Sequence, residues 1–462
     1  MYDLASRRRF LTQAGSGLGA LALGNMLGES SALGATMSPK EPHHAPKAKS
    51  VIWLFMEGGP SHMDLFDPKP ALRRLAGQPT PESFNPPTVT AMGTSGNTLM
   101  PDQREWKQYG ESGLWVSDWY KNIGEHADKL AVIRSCTADG LNHVGSVSQM
   151  NTGSILAGRP SLGSWVMYGL GSANQNLPTF VILDADSPLN GGSKNWSAGF
   201  LPAAFQGTRF QQEGPPILNL ANPASVGNEQ QRGKLDYLAA INQRHAKKHP
   251  EETELDARLE SYELAYRMQM HAPEAVDIAS ETEATKRLYG MDDDFLRPFA
   301  EKTLLARRMV ERGVRFVEVY GGSWDAHADI ESNHGKWCRF TDKPIAGLLA
   351  DLESRGLLEE TLVVWGGEFG RTPFNEKGDG RDHNPWGFSI FMAGAGIEGG
   401  RTIGETDEIG LHAIDKPYHV HDIHATILHK LGLNDKSLTY LHNGRSERPT
   451  VNGGKLIEEV IT

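Results

Sequence analysis

The strongest constraint on how this chain can fold is a recurring unit: a short, unbroken apolar run that stops at a polar or glycine-rich turn. Val51–Met56 is the first, and it ends in Glu57-Gly58-Gly59-Pro60. Comparable runs follow at Leu130–Ser135, Thr179–Leu183, Val314–Tyr320, Thr361–Trp365 and Phe388–Met392. Runs that are apolar on both faces and bounded by turn residues read as strands covered on both sides. Between several of them the pattern takes the helical period. Ala300–Arg312 turns Leu304, Leu305 and Met309 inward, Asp342–Arg355 does so with Ile345, Leu348, Leu349 and Leu352, and Asp422–Leu431 follows. Strand alternating with helix implies an α/β fold: a doubly wound, mainly parallel sheet flanked by helices. Gly356 stands where a helix C-terminal cap belongs, and Asp422 where a carboxylate would begin the last helix.

Two stretches break the rhythm. Gly77–Thr98, rich in Pro, Thr, Ser and Gly, reads as a long surface loop. From about 227 to 298 the composition shifts to charged helix formers, including Glu251–Arg267, which reads as a helical insertion in a single domain spanning 51–462. A polar segment at 36–50 reads as a linker into that domain. The 51 Gly and 26 Pro show no period and Cys number only 2, which excludes collagen-like and disulfide-dense chains. A net charge of −11 with no concentrated basic stretch argues against a nucleic-acid partner.

The N-terminus reads as a targeting segment. Ser6-Arg7-Arg8-Arg9-Phe10-Leu11-Thr12 precedes an apolar run from Ala14 to Leu27 and a small-residue stretch, Ser30 to Ala35. The run is shorter than the roughly 20 residues of a spanning helix, and no later stretch reaches that length, so no stable membrane span is expected. The paired arginines resemble the twin-arginine export signal, which implies a signal peptide over 1–35, the twin-arginine export machinery as partner, and a periplasmic or otherwise exported destination. An ordinary secretory signal is the alternative.

In open α/β sheets ligands sit outside the carboxyl ends of the strands, and here those ends are unusually polar. The first strand is followed by Glu57, His62 and Asp64; the second by Asp139, Asn142 and His143; the fourth by Asp325 and His327; the fifth by Glu368, Arg371, Asp382 and His383. Carboxylates and imidazoles from separate turns, delivered to one edge, are what a divalent-metal site needs. Asp325 and His327 are two apart, so an extended segment puts both on one face. Each residue also has a bland role available: turn histidines often brace the backbone, Glu368 could cap, and His419 and His421 could simply mark a helix entry. There is no His-Glu-x-x-His, Gly-x-Ser-x-Gly or P-loop. Gly394 to Gly399 spells Gly-x-Gly-x-x-Gly, but no helix start follows it, so it reads as a glycine loop.

Taken in order, these turns resemble the alkaline phosphatase and sulfatase superfamily, and more closely a twin-arginine-exported, sulfatase-like branch typed as a domain of unknown function. The resemblance is carried by Gly58-Gly59-Pro60-Ser61-His62-Met63-Asp64 with Asp67-Pro68-Lys69-Pro70, by Trp324-Asp325-Ala326-His327, by Gly367-Glu368-Phe369-Gly370-Arg371-Thr372-Pro373, by Gly380-Arg381-Asp382-His383, and by Ala425-Thr426-Ile427-Leu428. It implies an alkaline-phosphatase-like sheet and a cofactor of one or two divalent ions: zinc, manganese, calcium or magnesium. By the resemblance, Glu57, Asp325, His327, Glu368 and His383 are the metal ligands, and His143 and Arg371 the catalytic residues. Asp64, His62, Asn142, Asp382, His419 and His421 are further candidates.

This sequence departs from the superfamily in several places. A Glu, Glu57, stands where relatives place an Asp. Counting nine residues back from Thr152 to the nucleophile place lands on His143, which has no hydroxyl, and neither Cys136 nor Cys338 lies in a Cys-x-Pro-x-Arg context. The late Asp-His pair becomes Glu368-Phe369, and the Asp-to-His spacing shortens at Asp325 and His327. Two functions fit. One is an exported metal-dependent hydrolase of sulfate, phosphate or related esters, acting on small molecules or glycans. The other is a catalytically degenerate binding protein for a polyanionic or glycan ligand. A hydrolase would place His143 at a helix N-terminus, with its ring oriented by a carboxylate such as Asp139.

The export signal gives the first prediction. Replacing Arg7 and Arg8 together with Lys should leave folded protein in the cytoplasm, as judged by cell fractionation. Undiminished export of the double variant would return the segment to the ordinary secretory class.

Overall fold

The apolar runs pair side by side into one sheet. The computed structural model describes residues 37–461, apart from 91–92, 95–97, 184–188, 212–216, 218–221, 223–225, 247–252 and 375–378. The N-terminal segment with its arginine pair lies outside the described residues. The sheet strands are β1 (Ser50–Phe55), β2 (Ala131–Thr137), β3 (Phe180–Leu183), β4 (Thr208–Phe210), β5 (Phe316–Tyr320), β6 (Thr361–Gly366), β7 (Phe388–Ala393), β8 (Arg401–Ile403) and β9 (Tyr418–His419). Their order is β8-β2-β7-β6-β1-β5-β3-β4, and β9 also pairs with β2.

β1 lies between β6 and β5 and is parallel to both, with Trp53 opposite Val364 and Glu318. β3 is parallel to β5 and β4, and β8 and β9 are parallel to β2. Only β7 runs against its neighbours β6 and β2. The reason lies in the connection. After β6 the chain makes no helical crossover but stays at the carboxyl edge, where Gly370–Arg371 pairs with His383–Asn384. It then re-enters the sheet from the edge it left, and such a return must be antiparallel. The sheet is therefore mixed, mainly parallel, with one reversal among the described strands that keeps residues 367–374 and 379–387 at the carboxyl edge.

Helices cover both faces. The first face carries α1 (His143–Thr152), α2 (Leu162–Leu170) and α8 (Val420–Lys430), packed over Trp53, Phe55, Phe180 and Phe316. The second carries α6 (Arg297–Glu311) and α7 (Ile330–Ser354), packed over Leu54, Val363, Trp365 and Phe391. Burial on both faces explains the unbroken apolar runs: every residue of β1, β5, β6 and β7 is buried. The expected insertion is helical, made of α3 (Asn228–Ala246), α4 (Thr253–Val276) and α5 (Glu283–Tyr289). It joins the second core through Met268, Ala272, Ala275 and Tyr289.

Three local readings change. α7 begins at Ile330 rather than Asp342, because Asp329 caps it by accepting from Ser332 N at 3.2 Å, and Pro344 is accommodated inside the helix. The last helix begins one turn before Asp422. His419 is its cap, and Asp422 is the reciprocal partner, accepting from His419 N at 2.8 Å. The stretch 77–98 carries order of its own, with a Val89–Thr90 to Gly93–Thr94 hairpin and a Pro79 to Thr98 bridge. The segment before β1 is tied down: Lys40 N donates to Leu170 O at 2.9 Å and Ala48 N to Lys430 O at 2.8 Å. Both cysteines are buried and unpaired. No helix among the described residues is long and apolar enough to cross a membrane.

Trp365 anchors the second core. Its ring stacks on Phe391 at 5.3 Å and meets Phe66 edge-on at 5.4 Å. Trp365→Ala should cost about 3–5 kcal/mol, seen as a lower urea midpoint at unchanged m, and Trp365→Phe should lose much less. A loss below about 1 kcal/mol for the Ala variant would contradict this packing.

Candidate metal centre

The turns that leave β1, β5 and β6 can meet only because glycines let backbones touch. Gly58 has φ 109°, and a Cβ there would stand 2.5 Å from the backbone nitrogens of both Trp324 and Asp325. At Gly380 a Cβ would lie 2.3 Å from the carbonyl carbon of His327. An alanine at either place would push apart the segments that carry Asp325 and His327.

Asp325 is the meeting point. Its Oδ1 lies 3.0 Å from His327 Nε2, 3.4 Å from His383 Nε2 and 2.8 Å from Arg371 Nη2, while Oδ2 lies 3.2 Å from His143 Nε2. His143 is the first residue of α1, and Asn142 caps that helix by accepting from Gly145 N at 3.0 Å. Ligand atoms of His143, Asp325, His327 and His383 all fall within 4.8 Å of one another.

The imidazoles are oriented from behind. His383 Nδ1 stands 2.6 Å from the Leu141 carbonyl oxygen, which can only accept, so Nδ1 holds the proton and Nε2 a lone pair. His327 Nδ1 faces Asp382 Oδ1 at 3.6 Å, which turns its Nε2 inward as well. The two Nε2 atoms lie 3.0 Å apart. Without a metal, a proton on His327 Nε2 can reach His383 or Asp325; with one, the two nitrogens and the carboxylate oxygen all face the ion. Ligands on a tetrahedral ion with bonds of about 2.0–2.1 Å stand about 3.3 Å apart, so the residues present fit a divalent cation. His143 Nδ1 meets Glu368 Oε1 at 2.6 Å, and both Glu368 oxygens accept from Gly58 N, at 3.0 and 3.1 Å. Phe369 walls the site, its ring stacked on His383 at 4.4 Å and tilted against His143 at 5.1 Å.

Charge is concentrated here. Burial alone would depress the His143 imidazolium, but hydrogen bonds to Asp325 and Glu368 and their charges push it up to about 9. Asp325 is held far below the ordinary carboxylate range: burial opposes this, and the three histidines and Arg371 prevail. Burial and the neighbouring Glu368 raise Glu57 to about 7.

The expected site residues divide accordingly. His143, Asp325, His327 and His383 converge. Glu368 stands behind His143 rather than in the four-residue cluster. Arg371 is fully buried: Nε donates to Gly59 O at 2.9 Å, Nη1 to Arg381 O at 3.0 Å, and Nη2 to Gly58 O and Asp325. It holds Asp325 in place and has no free face for a substrate. Glu57 accepts from Asn190, from the backbone at 2.6 Å and from Nδ2 at 2.7 Å. Asp64 pairs with Arg381 at 2.7 Å, and His62 Nε2 lies 2.8 Å from Gly410 O. His421 Nε2 lies 2.8 Å from Gly153 O, and His419 Nε2 3.2 Å from Asp139 Oδ2. Asp139 thus serves His419, and the carboxylate behind His143 is Glu368. Asn190 and Phe369 were missed as site residues. Asn190 sits in the turn after β3, so the rule applied to the other strand ends would have reached it.

Residues 48–461 match the profile of a family described as protein of unknown function, DUF1501. None of the curated proteins matches the sequence. Among solved structures, the fold is similar to the PsFucS1 sulfatase from Pseudoalteromonas sp., with 12% identity, TM-score 0.37, and 89% of this chain and 71% of that one covered. A protein in the alkaline phosphatase superfamily from Vibrio parahaemolyticus gives 11%, 0.35, 91% and 72%. The alkaline phosphatase from the Antarctic bacterium TAB5 gives 12%, 0.33, 79% and 96%. What those proteins act on is not carried over to this chain by likeness of that degree.

A titration follows from the charges around His143. In chelator-treated protein, ¹³C or ¹⁵N NMR should find the His143 imidazolium persisting to about pH 9. Glu368→Gln should lower that value toward the ordinary 6.5. Because the folded value lies above the unfolded one, the stabilisation is complete below about pH 6.5 and disappears as pH rises through 9. An unshifted His143 in metal-free protein would contradict the observed pairing.

Proposed function

The chain belongs to the DUF1501 family, and on that footing we propose that it is an exported, metal-dependent hydrolase of sulfate, phosphate or related esters. The observation that supports this best is the convergence of Asp325, His327 and His383 beside a histidine at a helix N-terminus. Asp325 Oδ1 and the Nε2 atoms of His327 and His383 would hold a divalent cation, and a nitrogen-rich set of this kind suits zinc or manganese better than calcium or magnesium. Such a cation supplies Lewis acidity toward a negatively charged ester oxygen.

The remaining work falls to this chain's own groups. Glu368, fixed by Gly58 N–H, holds the His143 Nδ1 proton and leaves Nε2 facing the cluster. With Asp325 committed to a cation, His143 loses part of the negative charge that retains its proton, and Nε2 becomes a proton acceptor nearer neutral pH. His143 would then take a proton from an attacking water and return it to the leaving oxygen. The α1 N-terminus, where it sits, favours the developing anion. No hydroxyl or thiol stands in this place, so hydrolysis proceeds by direct attack of water, with no ester of the protein formed. The missing hydroxyl is also what favours the second reading, an exported binding protein for a polyanionic or glycan ligand.

Turnover of 4-nitrophenyl sulfate or phosphate should disappear with chelator and return with zinc or manganese. His143→Ala should cut it by at least about 10²-fold without unfolding the protein. His143→Gln separates packing from chemistry. Full activity in the Gln variant, or protein purified without chelator that neither contains a stoichiometric ion nor turns over either ester, would overturn the hydrolase reading in favour of the binding protein.

A further inference from the structure

A second polar site lies away from the cluster. A cavity of about 310 Å³ is lined by Arg159, Lys436, Arg445 and Arg448, with Glu447 the one acid among its lining residues. In a chain of net charge −11 this is a local reversal of sign. Arg159 donates to Glu447 at 2.8 Å and to the Arg448 carbonyl at 2.7 Å, yet its Nε is buried without a hydrogen-bond partner. Lys436 and Arg448 approach one another around Gly453, 3.9 and 3.6 Å from where its Cβ would be, and neither has an acidic partner among the described residues. Lys436 is exposed and Arg448 half-buried, and four cations against one acid make a positive field that draws an anion. Beside them is an aromatic bank: Phe200 stacks on His442 at 5.0 Å and on Tyr440 at 6.2 Å, and the Arg159 guanidinium stands 5.3 Å from the Phe200 ring. Flat rings next to cations suit a sugar bearing an anionic group better than a free anion.

The cavity connects to the cluster along α1. His143 begins that helix, and its cap Gly153 packs on the Pro449 carbonyl, next to Arg448, with a Cβ distance of 3.1 Å. Ten residues at about 1.5 Å each make α1 about 15 Å long, from His143 to the end that meets Pro449. The chain after Gly153 folds back so that Ile155 meets Gly145, and Val144, Ile155 and Leu156 are exposed at 56%, 46% and 72% along the way.

We propose that this pocket binds a sulfate or phosphate group carried on a polyanionic glycan, while another ester of the same chain reaches the His143 cluster. The link to the cluster rests on the hydrolase reading; the binding does not. Calorimetric titration of the full chain with dextran sulfate should show binding that neutral dextran lacks. Lys436→Ala with Arg448→Ala should weaken it at least about tenfold, consistent with the loss of two charge-assisted contacts. Lys436→Arg with Arg448→Lys should retain it, and His143→Ala should retain it too. Turnover of a small aryl ester should be unchanged in the double Ala variant, while KM for a sulfated chain rises. Unchanged dextran sulfate binding in that variant, or loss of binding in folded His143→Ala alone, would overturn the pocket and leave the hydrolase reading standing. Binding of inorganic sulfate without dextran sulfate would overturn the glycan. Pocket binding without turnover of any ester would instead count against hydrolysis.

Discussion

The site depends on a single carboxylate. Asp325 is reached by three imidazoles and one guanidinium, which come from the start of α1, from its own turn after β5 and from the segment after β6. Arg371 shows why this matters beyond the site. A guanidinium with no exposure carries a large desolvation cost, offset only by good partners. Three of its partners are the backbone carbonyls of Gly58, Gly59 and Arg381, and the fourth is Asp325. One buried cation therefore ties together the turns after β1, β5 and β6, and the same contacts aim the carboxylate at the histidines.

The reversal of β7 makes that arrangement available. A parallel β7 would need a crossover that carries the chain after β6 away from the carboxyl edge. By staying there, residues 367–374 and 379–387 deliver Glu368, Arg371, Asp382 and His383 to one place. Glu368 then supports His143 from below while Phe369 packs against two of the rings. The site thus pairs an oriented histidine with an aromatic wall.

Much of this could be read in the sequence, with definite limits. Strand positions were legible because double-sided burial leaves unbroken apolar runs. The direction of Phe388–Ala393 was not, since such a run looks the same whichever way it points. The polar first half of α7, with Glu331, Asn333 and His334, hid the helix start from a search for apolar period. At the site, position after a strand identified Asp325, His327 and His383, but not who touches whom. Asp139, four residues from His143, was the nearer candidate for its partner; the fold chose Glu368, 225 residues away. By resemblance Arg371 reads as catalytic, and only its burial shows that all its bonding is inward.

His327 and His383 face each other with Nε2 atoms 3.0 Å apart beside Asp325, within hydrogen-bond reach of one another and at a spacing that also suits a shared cation. X-ray absorption spectroscopy of protein purified without chelator tests this most directly. The account predicts a bound first-row metal with a nitrogen and oxygen shell at about 2.0–2.2 Å, histidine multiple scattering and no sulfur, all lost in Asp325→Asn. Metal-free protein, or a metal whose shell is unchanged in that variant, would contradict it.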